Sequence, residues 1–254
     1  MQKVCALLRA LSAPPPMRLS RLSAETGLNK VTALRILDTL AREGFVLKDA
    51  GGRGYGPGPE MLALAASAPH EGDLREAARP SLIRLAASSE DTALLSVRSG
   101  LEAVCIDRET GPFPIRANYL DVGSRRPLGV GAGALALIAW LPRREIDAIL
   151  EALAPSLKDR PGSSAEIIRG EIEAARERGY IVVLDRIVDR MGAVGAAIRN
   201  RAGAVVGALS IAALSDRIRD RAAILGEALT AEARLVQEAL AATPGRGGPE
   251  RSAP

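Results

Sequence analysis

The chain is predicted to be an α+β protein: an N-terminal winged helix-turn-helix domain joined to a larger domain built on an antiparallel sheet. Three observations carry this reading. Residues 2–56 run helix, helix, glycine turn, helix, hairpin, which is the element order of a winged helix-turn-helix. From residue 92 onward, alternating segments fall into hairpin pairs with apolar-periodic helical segments between them. The formal charge of +4 is also unevenly placed. Residues 1–68 hold nine Lys/Arg and five acids, and the remainder holds 25 of each sign. A small basic head on a neutral body is the electrostatic footprint of phosphate binding.

In the head, Val4, Leu7, Leu8 and Leu11 recur at i, i+3, i+4, i+7 and predict a short amphipathic helix. Three prolines within 12–16 stop it. Residues 19–26 predict a second short helix, with Ser20 as its N-cap and Gly27 at its end. Asn29 caps a third helix that closes at Gly44. Two extended pieces, 45–48 and 53–56, flank the loop 49–52, where glycine supplies positive φ.

Residues 60–68 predict another short helix before Pro69, and the polar segment 70–73 is read as the joint between domains. A helix follows over about 73–88, then a hairpin around Ser99 and Gly100, then a strand over 115–120. After Gly129-Val130-Gly131-Ala132-Gly133 an apolar helix is expected to run to Leu141, and Pro142 to start another to about Leu153. Residues 164–178 read as a helix capped by Ser163 or Ser164. One strand and a hairpin come next, and residues 215–241 form a long final helix. The Gly/Pro-rich end, 245–254, is expected to be disordered.

Composition narrows the function. Aromatic residues are only 2% of the chain, too few for the stacking platforms that hold single-stranded nucleic acid. Two distant cysteines, Cys5 and Cys105, make neither a disulfide framework nor a zinc cluster. One histidine, His70, makes a His-rich metal site or a Ser-His-Asp scheme difficult, so no cofactor, metal or enzymatic activity is expected. Cys105 falls in a strand pattern and reads as a small core residue. The charge run Asp185, Arg186, Asp189, Arg190 reads as a loop with local ion pairs, or as the rim of a pocket. The longest apolar run, residues 130–141, falls short of the roughly 20 residues of a membrane span. Residues 1–12 are amphipathic rather than continuously apolar, so no signal peptide is expected and the protein is read as cytoplasmic.

The DNA-reading surface is predicted from helical period. Ala33, Ile36, Leu37 and Leu40 form a buried stripe, which leaves Val31, Arg35, Asp38 and Arg42 on the opposite face. In a helix-turn-helix the exposed N-terminal part of this helix enters the major groove. There Arg35 suits guanine O6/N7, Thr32 a base edge or phosphate, and Val31 or Leu34 a thymine methyl. Lys30, at the helix start, suits a phosphate. Ser20, Asn29, Arg53 and Tyr55 complete the expected DNA-facing set.

The run LSRLSAETGLNKVTALRILDTLAREGFV resembles the N-terminal domain of IclR-type bacterial transcriptional regulators. RPLGVGAGALALIAWLP looks like the segment opening that family's central effector-domain helix, and GYIVVLDRIVDRMGAVGAAIRNRAGAVVGALSIAAL looks like its C-terminal signature. The resemblance extends over about residues 2–241. It implies a winged helix-turn-helix over 1–59, a linker helix region over 60–78, a GAF-like effector-binding domain over 79–242 and a tail over 243–254. It also implies binding to a double-stranded DNA operator, a small-molecule effector such as an organic or aromatic acid, and assembly into a homodimer or tetramer.

Carried over by position, the effector site comprises Gly131, Ala132, Gly133, Val183, Ala193, Ser210 and Ala212. Amides preceding a helix can hold a carboxylate. The founding pattern has polar side chains where this chain has Val183, Ala193 and Ala212, so the resemblance implies a more apolar effector or a pocket out of use. The leading expectation is a ligand-responsive repressor. The alternatives are an enzyme with an accessory DNA-binding head and a DNA-binding scaffold with a vestigial sensor.

Overall fold

A computed structural model describes residues 1–11, 16–49, 51–67, 71–117, 119–158, 160 and 162–242. The expectations for the proline stretch 12–15, for Ala50 in the hairpin loop, for Pro69 and His70, and for the tail from 243 lie outside the described residues.

The head is α1 (Gln2–Ala10), β1 (Met17–Arg18), α2 (Leu19–Thr26), α3 (Lys30–Arg42), β2 (Val46–Lys48) and β3 (Gly54–Pro57). Leu7, Leu11, Met17, Leu22, Ala33, Leu37, Val46 and Tyr55 form one buried cluster, with Ile36 and Leu40 packed against it. Fully burying a side chain such as Leu7, Leu22 or Leu37 stabilises the head by about 1.5–3 kcal/mol each. Because Leu7 and Leu11 belong to this core, α1 spends its apolar stripe inside the head. The three strands form a small antiparallel sheet in the order β1-β3-β2. The two-residue β1 was not expected from the sequence. Its pairing with β3 holds Arg18 extended, so α2 starts at Leu19 with Arg18 at the N-cap. Ser20 therefore lies in the first turn and caps nothing, contrary to expectation.

Helix α4 (Pro59–Ser67) leads away from the head and exposes Leu62 and Leu64. Helix α5 (Glu71–Ser89) runs past the expected boundary at 78, and Leu74, Ala78, Leu82 and Leu85 along it pack on the second domain's sheet.

That sheet holds β4 (Thr92–Ser99), β5 (Glu102–Thr110), β6 (Arg125–Pro127), β7 (Ile181–Leu184), β8 (Met191–Arg199) and β9 (Val205–Leu214). The order is β6-β5-β4-β9-β8-β7, antiparallel throughout. One face is covered by α5 and α9 (Ser215–Ala242). Over the other lie α6 (Ala132–Ala136), α7 (Arg143–Leu157) and α8 (Ala165–Arg178). Ser164 caps α8 by accepting from the Ile167 N–H, which selects between the two expected caps.

Buried charges fasten the helices to the strands. Asp91, 4% exposed, takes Arg217 and Arg221 from the start of α9. Asp107 takes Arg75 and Arg79 from α5.

Two expectations are corrected here. The described residues of 115–120 form no strand. Pro112 and Pro114 precede them, and the Leu120 N–H bonds to the Ala117 carbonyl in a turn. The strand comes later, at β6. The apolar helix after Gly131 ends at Ala136 rather than Leu141, and turns follow it to Trp140.

Candidate functional site

In the head, Gly27 adopts the left-handed conformation that ends α2, and the Asn29 side chain accepts from the Thr32 N–H at 2.8 Å to start α3. Asn29 thus serves the helix. With Ala33 and Leu37 buried, α3 turns Val31 (69% exposed), Leu34 (37%) and Arg35 outward. Lys30 is exposed beside them and Thr32 is half-buried. Neither Lys30 nor Arg35 makes an ion pair among the described residues, so both cations face solvent uncommitted.

The wing is tied to this helix. Lys48 Nζ lies 3.0 Å from Asp38 Oδ1 and 5.6 Å over the Tyr55 ring, and the hydrogen bond it donates to Asp38 raises the lysine's pKa. Asp38 is therefore engaged with the wing rather than free on the reading face. Arg53 is exposed after Gly52 (φ 64°) on the hairpin loop, and its N–H donates to Asp49. Tyr55 departs from the expected DNA-facing set. It is 5% exposed and sits in the head's core, where its ring supports Lys48.

In the second domain, all seven residues expected at the effector site line one cavity of about 610 Å³, open solvent included. Strand register explains the convergence. Val183 pairs with Ala193, Ala193 with Ala212, Gly195 with Ser210, and Ser210 with Leu94. Directly paired residues in an antiparallel ladder share a face, and so do residues two apart. Positions 183, 193, 210 and 212 therefore point to the same side, toward α6.

Two close approaches shape the wall. A Cβ at Gly195 would sit 2.7 Å from the Ala132 carbonyl oxygen, so β8 and α6 meet only because that position is glycine. Gly131 has φ 92°, and a Cβ there would meet Ile187 at 2.8 Å with the Arg126 stem 4.0 Å away. A Cβ at Gly133 would stand 3.1 Å from Ser210 Oγ and 3.5 Å from Ser96 Oγ, so both hydroxyls flank this glycine.

The cavity also holds residues that sequence reasoning missed. Ser96 and Cys105 come from the β4–β5 hairpin, Tyr119 and Leu120 from the segment expected to be a strand, Ser124 from the loop after it, Arg126 from β6, and Ile187 from between the charged residues after β7. Strand alternation from Leu94 was a usable signal for Ser96. For Tyr119 and Arg126 there was none, because their placement depends on the loop's path.

Burial pushes the Cys105 thiol up to about 12, so it is neutral and lines the wall as a small apolar group. Burial lowers the Arg126 pKa, and its Nε is enclosed with no hydrogen-bond partner. Leaving a buried polar group unpaired costs about 1–3 kcal/mol, and more when it is charged. In the charge run, Arg186 pairs with Glu171, and Asp185 accepts from Ser215 Oγ at 2.5 Å. The ion-pair reading holds for Arg186 and, through Arg219 at 3.9 Å, for Asp185, while the cavity lining takes Ile187 from between the charged residues and none of the four themselves.

Among the described residues, no group of three His, Cys, Asp or Glu is placed to hold a metal ion. No helix among them is long and apolar enough to cross a membrane.

Comparison with known proteins covers both halves of the chain. Residues 2–50 match the model of the IclR helix-turn-helix domain, and residues 66–238 match that of the bacterial transcriptional regulator IclR C-terminal region. The HTH-type transcriptional regulator KipR of Bacillus subtilis is 30% identical over 219 residues, 86% of this chain and 87% of KipR. The HTH-type transcriptional repressor AllR of Escherichia coli is 30% identical over 228 residues, 87% of this chain and 82% of AllR. A solved structure of an IclR homolog from Microbacterium hydrocarbonoxydans, complexed with 4-hydroxybenzoate, superposes with a TM-score of 0.76. It covers 95% of this chain and 98% of that one at 20% identity, a likeness of fold.

Proposed function

The chain belongs to the IclR family of bacterial transcriptional regulators, and from that premise we propose a repressor whose hold on its operator is set by a small organic or aromatic acid in the second domain's cavity. The observation that carries this reading is the convergence of four separate stretches of sequence on one cavity. An unused pocket has no need of a glycine at 195 to let α6 approach, or of two at 131 and 133 to keep its floor open. Its walls are mostly apolar, with a few polar groups, as in small-molecule sites generally. A related fold holds 4-hydroxybenzoate, which agrees with the same ligand class.

In the head, the base-reading set is Val31, Leu34 and Arg35, with Lys30, Thr32, Ser20 and Arg53 on phosphates. One such head makes too few contacts for a selective site, so the working unit is at least a homodimer on a palindromic or repeated operator. The exposed apolar residues of α4 agree with pairing near the heads. The effector acts by binding one arrangement of the heads better than another, since a ligand without that difference shifts nothing. The second domain is a GAF-like sensor rather than an enzyme, and the protein works in the cytoplasm on chromosomal DNA.

Fluorescence anisotropy of a labelled promoter fragment, titrated with the full-length protein in the presence and absence of aliphatic and aromatic acids, tests the proposal. At least one acid is expected to change operator affinity by tenfold or more. A scaffold with a vestigial sensor would bind the promoter with no response to any of them.

A further inference from the structure

Arg126 differs from the arginines of its domain that are paired with acids. Arg217 and Arg221 share Asp91, Arg75 and Arg79 share Asp107, Arg186 has Glu171, and Arg108 has Asp121. Arg126 has no carboxylate among the described residues. Its guanidinium lies 5.5 Å from the centre of the Tyr119 ring, its Nε is enclosed and unbonded, and the charged neighbour that acts on it, Arg160, has the same sign. Among the described residues it is the one charged side chain in the cavity's lining. A partly buried cation without a counter-ion is an unfavourable arrangement that an incoming anion relieves.

Resting on the regulatory reading above, we propose that Arg126 receives the acid group of the effector and makes the cavity selective for monoanionic acids with an apolar body over neutral molecules of the same shape. The guanidinium fork takes a carboxylate through two parallel N–H···O bonds. Tyr119, with its ring centre 5.5 Å from the guanidinium, lines the same end. Leu94, Val130, Val183, Ile187, Ala193 and Ala212 provide the apolar walls. The hydroxyls of Ser96 and Ser210, beside Gly133 and two residues along from Gly131 at the Arg126 stem, meet a hydrogen-bonding substituent elsewhere on the ligand. With a single cation in the lining, a second acid group on the ligand would be desolvated without a partner, so diacids are disfavoured.

The test uses full-length protein and matched probes at neutral pH: benzoate against benzamide, 4-hydroxybenzoate against 4-hydroxybenzamide, hexanoate against hexanamide. Calorimetry gives the affinities and promoter anisotropy gives the response. The wild type is expected to bind at least one acid tenfold or more tighter than its amide, and Arg126→Gln to abolish that preference by weakening the acid alone. If Arg126→Gln does not fold, Arg126→Lys carries the test. It keeps the charge, loses the fork, and is expected to lower the preference several-fold.

A wild type that takes amides as readily as acids overturns the anchor, as does an Arg126 variant with undiminished preference. Both results leave ligand-controlled regulation standing. If no acid and no amide binds or alters promoter affinity, the regulatory reading itself fails and the anchor with it.

Discussion

The two domains present their functional residues in opposite ways. The head turns the residues proposed to read DNA outward on one helix, where the side chains of Val31, Leu34 and Arg35 meet solvent. The second domain turns its residues inward from six strands, a short helix and the loops beside them, around one cavity. The outward site depends on one element and its period. The inward site depends on several pairing registers holding at once, and on glycines at 131, 133 and 195 that leave the room. A substitution on α3 should therefore change function without changing the fold. A substitution in the cavity wall should do both.

Arg35→Ala gives the largest expected separation. A bidentate base contact is worth about 1–3 kcal/mol, and a dimer loses two, so discrimination between operator and random DNA should collapse. The melting temperature and the affinity for ligand should stay as they were. A variant that still selects the operator would remove Arg35 from the reading surface.

The two thiols sharpen the contrast chemically. Cys5 is exposed in the head, whereas Cys105 is buried in the cavity wall with its pKa raised from 9.0 to about 12. A raised thiol pKa means that the folded state favours the neutral form. The stabilisation is fully present below the unfolded value of 9.0 and is lost as pH rises toward about 12. At pH 8, iodoacetamide should modify the native protein once, at Cys5, and the denatured protein twice. The thiolate fraction at Cys105 is lower by about a thousandfold. Rapid double modification of native protein would show that the wall is open.

Gly195→Ala probes the tight wall directly. The added carbon would meet the Ala132 backbone oxygen at 2.7 Å, so strand and helix must separate. Overpacking of this kind costs about 1–3 kcal/mol, or about 2–4 °C per kcal/mol for a chain of this length. Operator binding by the head should survive it. An unchanged melting temperature would mean that the approach of β8 to α6 is looser than it stands here.

Smallest is Lys48→Met, which removes the tie between wing and recognition helix. Both partners are exposed, so the effect on melting should be slight at low salt and absent at high salt. A large loss at all salt concentrations would mean the wing depends on this one contact.

The sequence made the head legible because each element carries its own stop signal: Gly27 at φ 67°, Asn29 with its side-chain cap, Gly44 at φ 76°. What escaped was β1, two residues long and defined only by its partner β3, and with it the N-cap of α2, which is Arg18 rather than Ser20. Tyr55 was misassigned for a related reason. Alternation along a hairpin says which residues share a face, but not which face meets the head's core.

In the second domain β4, β5, β7, β8, β9 and the long last helix were legible from period 2 and period 3.6, whereas β6 was not. The seven cavity residues came from resemblance to a family, and the register then explained why they meet. Arg126 and Tyr119 could not be read. They reach the cavity through a loop whose path is set by Pro112, by Pro114 and by the turns at 117–124, not by any repeating pattern.

Strand β9 also joins two environments that are otherwise kept apart. Ser210 and Ala212 face the cavity, while Leu209, Ile211 and Ala213, between and beside them, lie in the cluster under α5 and α9. The partition is therefore a single backbone thick, and it is close-packed on its far side. A close-packed layer compresses little, so a displacement imposed at Ser210 has to appear as a shift of the helices behind it. The strand would act as a diaphragm, with α5 as the rod that carries the movement back toward residue 71. Hydrogen exchange along α5 should respond to an acid that never touches it, and unchanged exchange there under saturating ligand would mean that the signal leaves the cavity by another route.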